Sequence, residues 1–276
     1  MIPGFINAHT HIGDSIGKDI TLNSSVDKKI HPVFGAKSKI LKNSSKHHLA
    51  SFMKNSCHSM IRKGITTFVD FREGGLNGVL LLKEVLSEIP IRSIILGRIE
   101  FYQDLIEIRK NNRFPGEKTN ELIDLIKKCD GIGISGANEN STSVLNYYSK
   151  TTKLRAIHSS ETKQSVLKSK KTTGTSETIR ALTMKPHFLI HMTHASKSDL
   201  HSTAKRTRGI VICPRANSSL AEGIPDIELM QKAGCTLALG TDNVMINSPD
   251  MFREMDFLWK ISMGIHKKRI NPKEIL

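Results

Sequence analysis

Residues 5–14 read FINAHTHIGD, with His9 and His11 one residue apart at the end of an apolar run. In a strand, residues i and i+2 share a face, so the two imidazoles leave the backbone side by side, as chelation of a metal requires. Two ligands do not hold a metal, and the rest of the chain must supply the others. Residues of suitable type recur at the ends of later apolar runs: His158 with Glu161 in HSSET, His191 and His194 in HMTHAS, and Asp242 in GTDN. Each alone has a plain structural reading, since a strand-end histidine is more often hydrogen-bonded than metal-bound and a lone Asp242 reads as a turn or cap residue. Together, five of the 12 histidines fall at three strand ends. With one carboxylate they form a nitrogen and oxygen set suited to Zn²⁺ or Fe²⁺ with a position left for water. His31, His47, His48, His58, His187, His201 and His266 fall in loops, helices or strand starts and read as structural or exposed.

Convergence of these residues needs a particular scaffold. Eight short β-branched or apolar runs recur, at 2–9, 65–71, 92–99, 131–137, 154–160, 187–192, 209–214 and 236–242. Between them lie amphipathic stretches such as HHLASFMKNSCHSMIRKG, LNGVLLLKEVLSEI, TNELIDLIKKC, TSETIRALTM and DIELMQKAG, several closing on the Lys-then-Gly signature of a helix C-terminus. Strands alternating with helices argue for βαβ units and a parallel sheet. Eight such units over this length predict an α/β fold of the (β/α)8 TIM-like barrel type, one domain over 1–276, with its site at the C-terminal ends of the strands. The segment from Ile12 to Lys46 has no sustained period. A long loop without period is expected only where it covers a site, here the barrel mouth.

Composition narrows the class. No apolar run approaches the roughly 18–20 residues that cross a bilayer, and the N-terminus lacks the pattern of a signal peptide, so a soluble cytoplasmic protein with no membrane partner is expected. Cys57, Cys129, Cys213 and Cys235 form no CxxC pair and read as buried thiols. The net charge of +15 is spread along the chain without interleaved aromatics, which favours a solvated basic surface over a nucleic-acid site. Such a field also attracts an anionic small-molecule substrate.

The pieces PGFINAHTH, HSSET, HMTHAS, CPRAN and LALGTDNVMINSPDMFREM, in this order, resemble the amidohydrolase superfamily. The likeness is to its deaminase and chlorohydrolase branch, which includes cytosine, guanine and S-adenosylhomocysteine deaminases, and to archaeal members in particular. The resemblance implies metal ligation by His9, His11, His158 and Asp242. It makes Glu161 the proton shuttle and His191 the residue that polarises the attacking water or forming oxyanion, with His194 ranked second. Asp242 is expected to move a proton as well. Two-metal members carry a modified lysine at the end of the fourth strand, whereas GIGISGANEN offers none, so one divalent metal is expected, Zn²⁺ first and Fe²⁺ second.

The implied reaction is hydrolytic deamination of an aminated N-heterocycle, a purine- or pyrimidine-like compound, by a hydroxide generated at the metal, with release of ammonia. A hydrolase of a cyclic amide, urea or halogenated heterocycle is the alternative within the class. An inactive metal-binding barrel serving as a basic interaction module is the alternative outside it. Arg72, His194, Arg215 and Asn217 are expected at the mouth as substrate contacts, with Asp14, Asn243 and Asn247 as further mouth residues. Relative to the family the chain reads as truncated at both ends, without the small β-sandwich domain and the last barrel helix. An uncovered barrel base is then expected to favour a homo-oligomer or a missing partner segment.

Overall fold

The computed structural model describes residues 3–20, 24–266 and 271–275. Strands β1 (Phe5–His11), β2 (Ile65–Arg72), β3 (Arg92–Gly97), β4 (Gly131–Ile134), β5 (Leu154–Ser159), β6 (Phe188–His191), β7 (Gly209–Ile212) and β8 (Leu237–Leu239) pair in parallel, each with the next in sequence. The two-residue β9 (Asp242–Asn243) continues the eighth run and pairs with Thr10 and His11 of β1, which joins the last run to the first. The fold is the expected (β/α)8 TIM-like barrel.

The eighth run is interrupted where the ring closes. The Gly240 amide donates back to Ile212 O of β7, whereas the Thr241 amide donates forward to His9 O of β1, each over 3.0 Å. A Cβ on Gly240 would stand 2.6 Å from His9 Cβ, so only glycine passes this close to the first strand. Asn7 clips the junction, its Nδ2 donating to Thr241 Oγ1 at 2.7 Å and its Oδ1 accepting from Thr241 N at 3.0 Å.

Strand alternation divides the core into two layers. Val69, Phe71, Leu96, Ala156, Ile190, Val211 and Cys213 fill the barrel interior. Their neighbours Phe68, Ile95, Ile157, Leu189, Ile210 and Ile212 face outward into the apolar layer under the helices. The helices that cover them are α1 (Val26–Ile30), α2 (Ala36–Asn43), α3 (Lys46–Arg62), α4 (Gly75–Leu86), α5 (Leu105–Arg109), α6 (Thr119–Lys128) and α7 (Thr142–Tyr148). They continue as α8 (Lys163–Thr173), α9 (Glu177–Ala181), α10 (Lys197–Arg206), α11 (Pro214–Ser219), α12 (Ile227–Lys232) and α13 (Met251–His266). Buried Met53 and Met60 of α3, Leu82 of α4, Leu125 of α6, Leu200 of α10 and Leu258 of α13 belong to that outer layer. Burial of each such side chain contributes about 1.5–3 kcal/mol.

Two expectations change. The segment after β1 is not structureless, because it holds a 3-10 turn over Ile12–Gly17 followed by α1 and α2. It covers the mouth as expected, and Lys37 of α2 is drawn inward by Glu73 and Asp14 at 2.6 and 3.3 Å. The eighth unit also has a helix: α13 follows β9 and buries Met251 and Leu258, where the sequence reading expected the last barrel helix to be missing. At the opposite end of the barrel, Ile6 and Phe252 are 60% and 57% exposed, so apolar surface is present at the base. The four cysteines are buried and free. Among the described residues no helix is long and apolar enough to cross a membrane.

Candidate active site

Strand parity aims only part of the site into the mouth. His158 follows inward Ala156 on β5, whereas on β1 the inward Ala8 directly precedes His9, and a register shift between Asn7 and Thr10 turns His9 and His11 to the mouth. His191 breaks parity, because its neighbour Ile190 already faces the interior. The backbone corrects this: His191 and Met192 take φ values of +70° and +57°, a left-handed conformation that swings the imidazole to the mouth. Ser160 (φ +51°), just before Glu161, and Asp242 (φ +59°) share it. Non-glycine residues are held there at a cost of about 1–3 kcal/mol each, and such strain clusters at functional sites.

The side chains meet closely. His9 Nε2 lies 3.2 Å from Asp242 Oδ1 and 3.2 Å from His158 Nε2. His11 Nε2 lies 3.4 Å from His158 Nε2 and 3.6 Å from Asp242 Oδ1. Hydrogen bonding at the far nitrogens fixes two tautomers. His158 Nδ1–H donates to Ile134 O at 2.9 Å, and His11 Nδ1–H donates to Glu73 Oε1 at 2.7 Å and to Phe71 O at 3.1 Å. Their Nε2 lone pairs therefore face each other, an arrangement that only a shared cation makes favourable.

Four donors about 2.1 Å from one centre, tetrahedrally placed, stand about 3.4 Å apart, which matches these spacings. Asp242 Oδ2 is buried without a hydrogen-bond partner among the described residues, so a second carboxylate oxygen is left for chemistry. The residues thus fit a divalent metal. Donor atoms of His9, His158, His191 and Asp242 also lie within 4.8 Å of one another, which brings His191 to the edge of the same centre. Phe71 floors the site edge-on to His9 at 4.5 Å, and Gly133 makes room for it, since a Cβ there would stand 2.6 Å from the ring.

On the open side His191 Nδ1–H donates to Asn217 Oδ1 at 3.3 Å, turning Nε2 toward Glu161 Oε2, 3.6 Å away. That contact is too long for a hydrogen bond. Burial pushes the Glu161 carboxyl up; the neighbouring His191 opposes the shift and Asp242 reinforces it. Burial would push Asp242 up too, but its hydrogen bond to His9 and the surrounding histidines hold it well below the usual carboxylate range. Burial holds His9 down to about 3, against the pull of Asp242, and His158 well below its ordinary value with His9 and His191 adding to the effect. Neutral imidazoles and one carboxylate are the protonation states that ligate a metal.

Of the sequence-predicted residues, His9, His11, His158, Glu161, His191 and Asp242 converge, and all but His9 line one cavity under α1 and α2. The predicted substrate contacts do not. Arg72 is outward by parity and buried, its Nε donating to Glu73 O at 3.0 Å and its Nη1 meeting Met53 Sδ at 3.4 Å, so it ties β2 to α3. Arg215 is engaged with Ser248 O, Asn247 Oδ1 and Glu254 at 3.3–3.4 Å and links the loops after the last strands. His194 Nε2–H donates to Glu222 O at 2.6 Å, outside the cavity. Asn217 is buried behind His191 and orients it instead of facing the mouth.

Asn243 lines the cavity and donates to Asp14 Oδ2 at 2.7 Å. His47, His48, His58 and His201 are exposed, and His187 accepts from Arg155 N at 3.1 Å, as a structural residue does. His31 departs from its reading: it stacks on Phe34 with centroids 3.8 Å apart and lines the cavity. The His266 side chain lies outside the described residues.

Sequence reasoning missed Glu73, Arg98, Lys37 and Glu177. Parity was the available signal for two of them, since Glu73 follows Phe71 and Arg98 follows Leu96 at inward positions. Glu73 accepts from His11 and Lys37. Those charges, with Arg98, outweigh burial and hold its carboxyl well below its ordinary value. Glu177 Oε2 accepts from Ser160 N at 2.9 Å and from Ser165 Oγ at 2.7 Å, which pins the left-handed turn carrying Glu161.

Comparison with known proteins agrees with this fold. The amidohydrolase family pattern matches residues 1–276. A relative in Methanothermobacter thermautotrophicus is 36% identical over 282 residues, covering 100% of this chain and 71% of its own length. A 5-methylthioadenosine/S-adenosylhomocysteine deaminase of Thermococcus sibiricus is 29% identical over 98% of this chain and 64% of its own. Among solved structures, a zinc-bound adenosine deaminase from Xanthomonas campestris superimposes with a TM-score of 0.72 at 19% identity, over 96% of this chain and 62% of that one. The chain belongs to the amidohydrolase family and is a hydrolase acting on carbon–nitrogen bonds other than peptide bonds.

Proposed function

We propose that this protein is a mononuclear metal-dependent deaminase of an aminated, purine- or pyrimidine-like heterocycle. One divalent metal, Zn²⁺ first and Fe²⁺ second, would be held by His9, His11, His158 and Asp242. The observation that carries the reading is the set of facing donors 3.2–3.6 Å apart, with Glu161 and His191 on the open side of the same centre. When bound, the metal supplies a water acidified toward neutral pH.

The chain's own groups handle the protons. Asp242 accepts one from the attacking water through its free Oδ2, while the oxygen adds to the ring carbon that bears the amine. Glu161, whose carboxyl burial pushes up, gives a proton to the adjacent ring nitrogen, and His191 holds the incoming oxygen. As the adduct collapses, Asp242 passes its proton to the amine, which leaves as ammonia. Glu161 recovers a proton from the new hydroxyl, leaving the oxo product, so both carboxyls return to their starting states.

Metal analysis of the purified protein, followed by ammonia release over a panel of aminated bases and nucleosides, tests the reading. About one metal per chain together with ammonia release supports it. Hydrolysis of cyclic amides or halogenated rings without ammonia would replace it with the sister activity. Bound metal without any hydrolysis would point to an inactive barrel.

A further inference from the structure

Val26, Asp27 and Ile30 of α1 and Lys37 of α2 line the cavity over the donor cluster and roof it. Beneath them His9, His11, His158, His191 and Asp242 are at most 9% exposed, so whatever holds the roof down also controls access to the donors. The roof has little apolar anchorage. The buried residues of α1 and α2 are Lys29, Lys37 and Ser38, and neither helix contributes a buried apolar side chain. Neither N-cap residue, Ser25 or Gly35, supplies a side-chain hydrogen bond. Val33 and Phe34, between the two helices, are more than half exposed. Helices of five and eight residues are too short to be stable by themselves, and a segment with few buried apolar contacts opens at low cost.

An ionic clamp holds this flap, and both of its jaws lie directly behind proposed metal ligands. Lys37 Nζ is 2.6 Å from Glu73 Oε1, the same oxygen that accepts from His11 Nδ1 over 2.7 Å. Glu73 Oε2 has no hydrogen-bond partner among the described residues, and the nearby guanidinium groups of Arg72 and Arg98 stand 3.7 Å from the carboxylate. Lys37 is therefore the close cation that braces Glu73. Its second contact is Asp14 Oδ2 at 3.3 Å, which also accepts from Asn243 Nδ2 at 2.7 Å. Asn243 directly follows Asp242.

We propose that Lys37 is a positioning residue that couples closure of the flap formed by α1 and α2 to metal binding. With the flap down, Lys37 braces Glu73 against His11 and Asp14 against Asn243; with the flap up, both braces are released. With Nε2 of His11 engaged by a metal, its Nδ1–H is held toward Glu73, which keeps the carboxylate in place for Lys37. Such coupling is reciprocal: the factor by which closure tightens metal binding is the factor by which metal favours closure. The inference rests on the metal site proposed above.

Hydrogen exchange of α2, read by mass spectrometry with and without zinc, tests it, with α10 as the reference helix because it lines no part of the cavity. In the wild type, saturating zinc slows exchange of the α2 amides by about tenfold or more and leaves α10 unchanged. Lys37→Met binds zinc about 10- to 100-fold more weakly against a competing chelator, and its α2 exchange no longer responds to zinc. Lys37→Arg restores part of both. Should Lys37→Met fail to fold, the wild-type response to zinc carries the coupling without it. A lysine that only props the flap would, when replaced, loosen α2 equally with and without zinc at unchanged zinc affinity, and that result overturns the proposal. Full zinc occupancy with unchanged α2 exchange in the wild type overturns it too, while leaving the metal site standing. Protein that takes up no zinc fails the metal reading itself, and this inference with it.

Discussion

Nδ1 of His11 donates to Glu73 Oε1 over 2.7 Å, so a buried carboxylate that is not itself in the ligand cluster fixes the tautomer of a proposed ligand. Glu73→Gln should leave the fold intact and weaken metal binding by about 10- to 100-fold, the usual effect of removing such an orienting partner. Competition with a chelator of known affinity measures it. Unchanged affinity would show that His11 needs no orienting.

His158 and Glu161 sit three residues apart and should fail differently. His158→Ala removes one of the facing donors and should lose the metal, read by elemental analysis. Glu161→Gln should keep the metal and lose on the order of 10² to 10⁴ in kcat on a verified substrate, as loss of a general acid does. Full metal occupancy in the first variant or normal turnover in the second would take that residue out of its assigned role.

Gly240 marks the point where the eighth run leaves β7 for β1. Gly240→Ala forces a Cβ to within 2.6 Å of His9 Cβ and 2.9 Å of His9 N, both on the first strand. A loss of about 1–3 kcal/mol or more in urea unfolding is expected, with weakened metal binding because His9 must shift. Unchanged stability and metal affinity would mean that the junction tolerates displacement.

Burial raises the Glu177 carboxyl from 4.5 to about 7, against the hydrogen bonds from Ser165 and Ser160. The folded state therefore holds this proton more tightly than the unfolded chain. Its contribution to stability is fully present below about pH 4.5 and is lost as the pH rises toward 7, by roughly 3 kcal/mol at most. Glu177→Gln cannot titrate, so the variant should gain on the wild type in urea unfolding between pH 5 and pH 8. A constant difference across that range would remove the raised carboxyl from the account.

Much of the barrel could be read in the residues. The runs ending at His9, Phe71, Ser160 and Met192 became strands because β-branched and apolar residues alternate there between punctuating loops, and both signals are local. The loop after β1 was read as covering the mouth, but α1 and α2 within it were not foreseen. They are short, with little periodicity of their own. Part of what holds them is a distant contact, Lys37 on Glu73 and Asp14.

The sequence by itself determined which residue types could bind a metal and, through strand periodicity, that His9 and His11 would leave one face of the first strand. Tertiary structure alone decided that His191 joins them against parity, because a left-handed turn is held by neighbours and not by its own residue preferences. It also decided that Arg72 and Arg215 are tethers while Glu73 and Arg98 face the site. A charged side chain takes its role from the partners within reach, and those partners lie on other strands and on α2, far away in the sequence.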